Sequence, residues 1–452
     1  GSSTPPALLC PHPRARARAQ GHMGPGDVEA QDARTANAEQ RSVLLMIRGL
    51  CCPCCCHPKY RFCKPCKLTV VGCLCCWGWV LVLLPALWAV LTFAVLKPVL
   101  CSMMRTELYP EEEWLAHTAT KTPSNWSFAG SQENCKRWLA GIDFQDWQVN
   151  TSEYKEVFFP STSGLLLQGF FLIAQNGMTT GVGPPEQAPT VILVHGHGPY
   201  VGQQSQMLPA KGLQQQGFNV FLFNNQGLGK SQRPDSGHAI RTFGADELTN
   251  TEGAIKFVTE DPDGLLPFAT PLHKVGIYVE SGANGMVWFF RLDIPGLVMD
   301  SSIYDWHAQW RKVADDAGIG WVPLVDHLLM QCASAPAQGG GIKEENYKDQ
   351  LDRSVHNPTG RKVLLIHNKA DEYNLFEDHF PGWEADLKGK GFDVAVYTPD
   401  EDGEDGCNSH VTLLFGLHRK AHFQRLCAFW ELVFNVSAAC GDVLQFDTLL
   451  SS

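Results

Sequence analysis

Beyond residue 150, short apolar runs alternate with longer stretches of helical periodicity, the pattern of a largely parallel sheet covered by helices. Segments 153–159 and 165–174, separated by Pro160 to Gly164, read as an opening antiparallel pair. Compact strands are expected at 190–194, 219–224, 274–279, 296–299, 362–366 and 392–397, with a helix at 245–259. The interval 302–361 has no strong strand; it holds Trp306, Trp310, Trp321 and the break Gly339-Gly340-Gly341. A helical cap inserted over the sheet's C-terminal edge accounts for it. The expected fold class is α/β: a mostly parallel eight-stranded sheet flanked by helices, with a cap and one preceding transmembrane helix. The core would then comprise 153–301 and 362–440, split by a cap at 302–361.

The N-terminal third follows a different pattern. Residues 68–96 contain no charged side chain, a run longer than the roughly 20 residues that cross a bilayer core. Trp77 and Trp79 mark the interface level, so a transmembrane helix is expected over 77–96, with Pro85 tolerated inside it. A signal peptide is the rival reading, but the run is long and lacks a clear small-residue cleavage site. Arg48, Lys59, Arg61, Lys64 and Lys67 precede the span, whereas only Lys97 and Arg105 follow closely. This asymmetry predicts a cytosolic N-terminus and a lumenal or extracellular main body. Sequons at Asn125, Asn150 and Asn435 are compatible with that side. Segment 97–152 reads as a membrane-proximal linker. The chain does not begin with Met, and Met23 or Met46 could each be an initiator; 1–45, poor in aromatics, is expected to be disordered.

Charge and cysteine usage sharpen this division. Residues 1–67 hold ten Lys/Arg against four Asp/Glu, so the formal −11 of the chain leaves −17 on the remainder. An acidic body argues against a nucleic-acid surface, which needs a concentrated positive field. Of seventeen cysteines, ten fall within 51–76, making 46–76 a Cys-rich basic juxtamembrane segment. Acylation, free thiols and zinc at Cys63-x-x-Cys66 with His57 are the alternatives. The thiols form a run rather than spaced pairs, which favours S-palmitoylation over metal. The five thiols beyond Cys101 (Cys135, Cys332, Cys407, Cys427, Cys440) allow at most two disulfides among themselves.

Candidate chemistry begins where the strand 274–279 runs into Ser281, flanked by Gly282, Ala283 and Gly285 and followed by a helical stretch. A hydrolase nucleophile needs such a sharp strand-to-helix turn, which lifts its hydroxyl clear and leaves room only for small neighbours. The usual pattern is Gly-x-Ser-x-Gly. Here it reads Val279-Glu280-Ser281-Gly282-Ala283, and Val279 is a departure because a β-branched side chain crowds the turn. Asp371 follows the strand at 362–366, and His410 follows the last strand. Ser, Asp, His in that order, each after the C-terminal end of a strand, is the order the triad takes on this type of sheet.

Over roughly 153–435 the chain resembles the α/β-hydrolase superfamily, especially its monoacylglycerol-lipase-like and serine-aminopeptidase-like branch. The resemblance includes the opening strand pair, His195-Gly196, Gly227-x-Gly229-x-Ser231, the Ser281 elbow, Asp300, Asp371 and His410. The Cys-rich head is similar to that of depalmitoylating members, which lack a span in this position. The resemblance and the chemistry imply the same roles: Ser281 as nucleophile, His410 as base, Asp371 orienting the imidazole, and the backbone N–H groups of His197 and Gly282 facing the oxyanion. No metal or organic cofactor is required. Expected partners are the bilayer and an amphiphilic or acylated substrate carrying an ester or thioester bond. A peptidase or acyltransferase would use the same triad, and a degenerate hydrolase fold acting as a membrane-bound binding module is the non-enzymatic alternative.

Other residues carry rival readings. His195 reads as a structural histidine at a tight turn; Glu372 and Asp300 are alternative acids to Asp371. The run Asp400 to Asp405 reads as a solvated loop, or as carboxylates that raise the pKa of His410. In the resembling proteins the turn before Ser231 reads Asp-x-Arg; here it is Asn224-Asn225-Gln226, which removes an expected ionic brace.

Overall fold

A computed structural model describes residues 81–88, 90–103, 119–126, 144–175, 181–196, 206–235, 242–244, 246–282, 285–322, 324–334, 347–400, 410–411, 419–438 and 440. The Cys-rich segment, residues 77–80 of the expected span, His197 and residues 401–409 lie outside them. The chain divides into two compact units, 1–84 and 85–452. Of the first, only 81–84 are described; they are helical, with Leu81, Val82, Leu83 and Leu84 exposed. Among the described residues no helix is long and apolar enough to cross a membrane.

The second unit opens on helical turns at 85–88 and 90–91, a π-helical segment Thr92–Leu96, and helix α1 (Lys97–Met103). Its centre is one eight-stranded sheet: β1 (Tyr154–Pro160), β2 (Leu166–Leu172), β3 (Thr190–Val194), β4 (Asn219–Phe223), β5 (Val275–Glu280), β6 (Gly296–Asp300), β7 (Lys362–Ile366) and β8 (Asp393–Tyr397). The order across the sheet is β1-β2-β4-β3-β5-β6-β7-β8. The β1–β2 and β2–β4 pairs are antiparallel, and every pairing from β4 through β3 to β8 is parallel. This is the α/β-hydrolase fold that the resemblance implies, and each strand lies within two residues of its expected position.

The central strands read as continuous apolar runs because both faces of the sheet are covered. Successive residues of β3 divide between the two sides, Ile192 and Val194 entering one core, Val191 and Leu193 the other. The first core is closed by α3 (Glu247–Glu260), α4 (Met286–Arg291) and α8 (Phe376–Lys390), which contribute Phe257, Phe289 and Trp383. The second is closed by α2 (Met207–Gln215) and α9 (Arg419–Phe434) through Leu213, Leu426 and Trp430. Truncating a buried indole such as Trp430 typically costs about 3–5 kcal/mol.

Among the described residues between β6 and β7 are three helices, α5 (Trp306–Asp316), α6 (Val325–Ser334) and α7 (Tyr347–Ser354). Asp305 caps α5 by accepting from the His307 amide at 2.8 Å. The α6 helix is fastened to α1 by a disulfide between Cys101 and Cys332 and by the Lys97 ammonium donating to Gln331 Oε1 at 2.9 Å. A second disulfide joins Cys427 to Cys440. Cys332 thus pairs with Cys101, a thiol outside the five counted together in the sequence, and among the described residues Cys427–Cys440 is the pairing within that set. The long separation of 231 residues between Cys101 and Cys332 gives no local signal that could have predicted it.

Candidate active site

The β5 strand is buried along its whole length and ends at Ser281, whose amide continues the ladder by donating to Asp300 O at 2.8 Å. Ser281 then adopts φ +53°, a left-handed conformation that costs a non-glycine residue about 1–3 kcal/mol. Such strain marks a turn whose geometry is enforced by its surroundings. Gly196 packs directly on it: a Cβ there would stand 2.8 Å from Ser281 Cβ and 3.1 Å from Glu280 O. Val279 fits because the space it needs is released elsewhere. A Cβ at Gly285 would stand 2.7 Å from Val279 Cγ1 and 2.9 Å from Val194 Cγ2. The small residue lost before the serine is matched by a glycine at the start of α4, so the Val279 departure leaves the elbow intact.

Three distant side chains converge at this turn. His410 Nδ1 lies 2.8 Å from Asp371 Oδ2, and its Nε2 lies 2.8 Å from Ser281 Oγ. An ionised carboxylate can only accept, so Nδ1 carries the proton and Nε2 accepts from the serine hydroxyl. Asp371 is held from both sides. Its Oδ1 accepts the amides of Tyr373 and Asn374, each at 2.9 Å, in a turn that leads into α8. Burial raises the pKa of Asp371. The charge and hydrogen bond of His410, with contributions from His367 and the Asn374 amide, outweigh it and hold the carboxyl below its usual range.

Two residues at this site were not singled out in the sequence. His367, directly after β7, is buried; its Nε2 donates to Asn374 O at 2.8 Å and lies 3.5 Å from Asp371 Oδ2. Burial lowers its pKa, with Asp371 opposing. Asn374 Nδ2 donates to Ser301 O at 2.6 Å and lies 3.5 Å from Ser281 Oγ. The only available signal was their position in the loop leaving β7. A third, Tyr347 of α7, donates its hydroxyl to Gly282 O at 2.7 Å and so braces the residue after the serine. Its place between β6 and β7 gave no hint of that contact.

The alternative acids separate clearly. Glu372 is exposed. Asp300 is buried but accepts from Tyr278 Oη at 2.8 Å, and burial pushes its pKa up to about 6. The His195 ring ties two turns together, Nδ1 donating to Gly196 O at 2.8 Å and Nε2 accepting the Asn225 amide at 3.2 Å. The missing ionic brace is replaced by amides: Asn224 Nδ2 donates to Gln168 Oε1 at 2.9 Å, and Gln168 Nε2 donates to Glu156 Oε1 at 2.7 Å. Of the two expected oxyanion donors, Gly282 adjoins Ser281 in the turn and His197 is outside the described residues. Of the acidic run, only Asp400 is described. Among the described residues one group of metal-capable side chains stands together, His307, Asp326 and His327, on α5 and α6.

No family model matches the chain, and no curated protein does. Solved structures similar to it include an esterase of Pyrococcus furiosus, 16% identical over 65% of this chain and 95% of that one, TM-score 0.44. An acylaminoacyl peptidase of Pyrococcus horikoshii is 19% identical over 62% of this chain and 41% of that one, TM-score 0.41. The alpha/beta hydrolase GrgF of a Penicillium species is 13% identical over 62% and 99%, TM-score 0.41. At these scores the likenesses carry no argument of their own. The fold class rests on the strand order and on the strand–serine–helix turn at the C-terminal edge of β5.

Proposed function

We propose that the protein is a membrane-anchored serine hydrolase that cleaves carboxylic ester or thioester bonds of lipid-like or acylated substrates. The observation that carries this reading is the hydrogen-bonded line from Ser281 through His410 to Asp371, with the serine held at positive φ. As Ser281 Oγ attacks the acyl carbonyl, its proton passes to His410 Nε2, and Asp371 stabilises the imidazolium. The same proton then goes to the leaving alkoxide or thiolate; water, deprotonated by His410, attacks the acyl carbon, and His410 returns that proton to Ser281 Oγ as the acid departs. Gly282 N–H and His197 N–H are the oxyanion donors in this scheme, each worth about 2.7–4 kcal/mol in the transition state. The chemistry needs no cofactor. An apolar substrate is supported by the aromatic set beside the elbow, where Phe243 packs edge-on at 5.0 Å against Trp310 and Trp306 lies 5.8 Å from Tyr347.

Membrane anchoring is supported by the uncharged run 68–96 and by the exposure of Leu87, Trp88, Val90 and Leu91 within it. The two disulfides among the described residues fit a body on the oxidising side of the membrane, and the sequon residues Asn125, Asn150 and Asn435 are all exposed.

Labelling of the full chain with a fluorophosphonate probe tests the enzymatic reading. Labelling is expected in the wild type and absent in Ser281→Ala; equal labelling of both, or none in folded wild type, overturns it. Alkaline carbonate extraction of membranes tests the anchor, and release of the protein into the supernatant would refute it.

A further inference from the structure

We propose that His307, Asp326 and His327 form a binding site for a divalent transition-metal ion, with Zn2+ the ion of choice, that clips α5 to α6. The inference stands whether or not Ser281 is a nucleophile. His307 lies in the first turn of α5, and Asp326 and His327 lie in the first turn of α6. One ligand atom from each of the three lies within 4.8 Å of the other two. His307 Nδ1 is 3.1 Å from Asp326 Oδ2, His327 Nε2 is 3.9 Å from the same oxygen, and the two imidazole rings approach to 4.3 Å between centroids.

These spacings fit a metal. Zinc takes imidazole nitrogen and carboxylate oxygen at about 2.0–2.2 Å, which puts ligand atoms about 3.4 Å apart around a tetrahedron. The separations of the two imidazole nitrogens from Asp326 Oδ2 bracket that value, and all three ligand atoms lie within 4.8 Å of one another. Two nitrogens and one carboxylate suit zinc, copper or nickel rather than calcium or magnesium, which prefer all-oxygen sets. The carboxylate is also oriented from behind. Arg311 donates to Asp326 Oδ1 at 2.5 Å and to Gly320 O at 2.8 Å, leaving Oδ2 turned toward both imidazoles. An outer partner fixing a ligating carboxylate is the usual support of such a site, while the positive charge of Arg311 limits the affinity. Three protein ligands leave a fourth position for water or a substrate group.

The clip would reinforce a contact that already exists between α5 and α6, where Arg311 pairs with Asp326. The segment entering α5 touches the elbow, Ile303 N donating to Ser281 O at 3.3 Å. The α6 helix is tied through Cys332 to Cys101 of α1. A metal bound across them would further fix the position of the nucleophile turn relative to α1.

The test is calorimetric titration of the detergent-solubilised full chain with Zn2+. The free thiols are first alkylated without reduction, so that the Cys-rich segment cannot compete. One zinc equivalent is expected for the wild type. His327→Ala and His307→Ala, each verified as folded by circular dichroism, are expected to weaken that binding about tenfold or more. The half-exposed His327 side chain makes its replacement structurally mild. Identical isotherms for wild type and both variants, or no zinc binding by the wild type, overturn the proposal.

Discussion

Two buried carboxylates stand at the C-terminal ends of neighbouring strands and behave oppositely. Asp300 ends β6 and Asp371 follows β7; both are almost fully buried. Asp300 receives a neutral Tyr278 hydroxyl at 2.8 Å and a long contact from Ser301 Oγ at 3.4 Å, which leave burial the dominant influence. Asp371 receives two backbone amides and an imidazole that can carry charge, and its pKa falls instead of rising. The difference teaches that position at a strand end does not make an acid useful. Pairing with a group able to become cationic does, because burying an ionised carboxylate is costly unless its charge is compensated.

The strongest way to break this comparison is Asp371→Asn. The amide can present an N–H to His410 Nδ1 and favour the wrong tautomer, so kcat of an ester substrate is expected to fall by about 10^4. Asp300→Asn should leave the rate within about tenfold. If steady-state kinetics ranked the two variants the other way, the assignment of the acid would be reversed.

The same pair predicts opposite dependences of stability on pH. The folded pKa of Asp371 is depressed, so its contribution is present above the unfolded value and is lost as pH falls through the lower folded one. The folded pKa of Asp300 is raised to about 6, so the folded state holds a proton where the unfolded chain is ionised. Its contribution is present below pH 4 and is lost as pH rises to 6. Asp300→Asn keeps an acceptor for Tyr278 and is expected to stabilise the protein by about 2–3 kcal/mol at pH 7.5, with little gain at pH 4. Thermal denaturation at the two pH values checks this, and equal shifts would count against a buried charged Asp300.

The smallest effect concerns His367, the second imidazole near Asp371. Its hydrogen bond goes to Asn374 O, so His367→Gln should cost about 1 kcal/mol of stability. It should change kcat by about tenfold at most, with the acid limb of the pH–rate profile moving more than KM. A loss as large as that of Asp371→Asn would make His367 part of the reacting line.

A compensation test addresses the elbow. Gly285→Ala alone is expected to destabilise by about 1–3 kcal/mol, because its methyl meets Val279 and Val194. Adding Val279→Gly should recover part of that loss. Additive effects in denaturant titrations would show that the two positions do not share space.

Much of this architecture was legible before any coordinates. Strand positions followed from apolar runs bounded by turn residues, because a strand covered on both faces must be apolar throughout. The order of Ser281, Asp371 and His410 along the chain also pointed to their meeting. Val279, by contrast, looked like damage to the elbow, since its effect depends on Gly285, which lies on the next helix. His367, Asn374 and Tyr347 went unassigned for the same reason: a histidine, an asparagine and a tyrosine in a loop or cap helix carry no pattern until another segment packs on them.

By itself the sequence determined the sheet, the uncharged N-terminal run and the three residues that could form a relay, because periodicity, length and residue chemistry are properties of the chain taken locally. The tertiary structure alone decided which buried carboxylate meets His410, how Val279 is accommodated, and that Cys101 pairs with Cys332. Each depends on distances between segments far apart in sequence, and those distances are set only when the core closes.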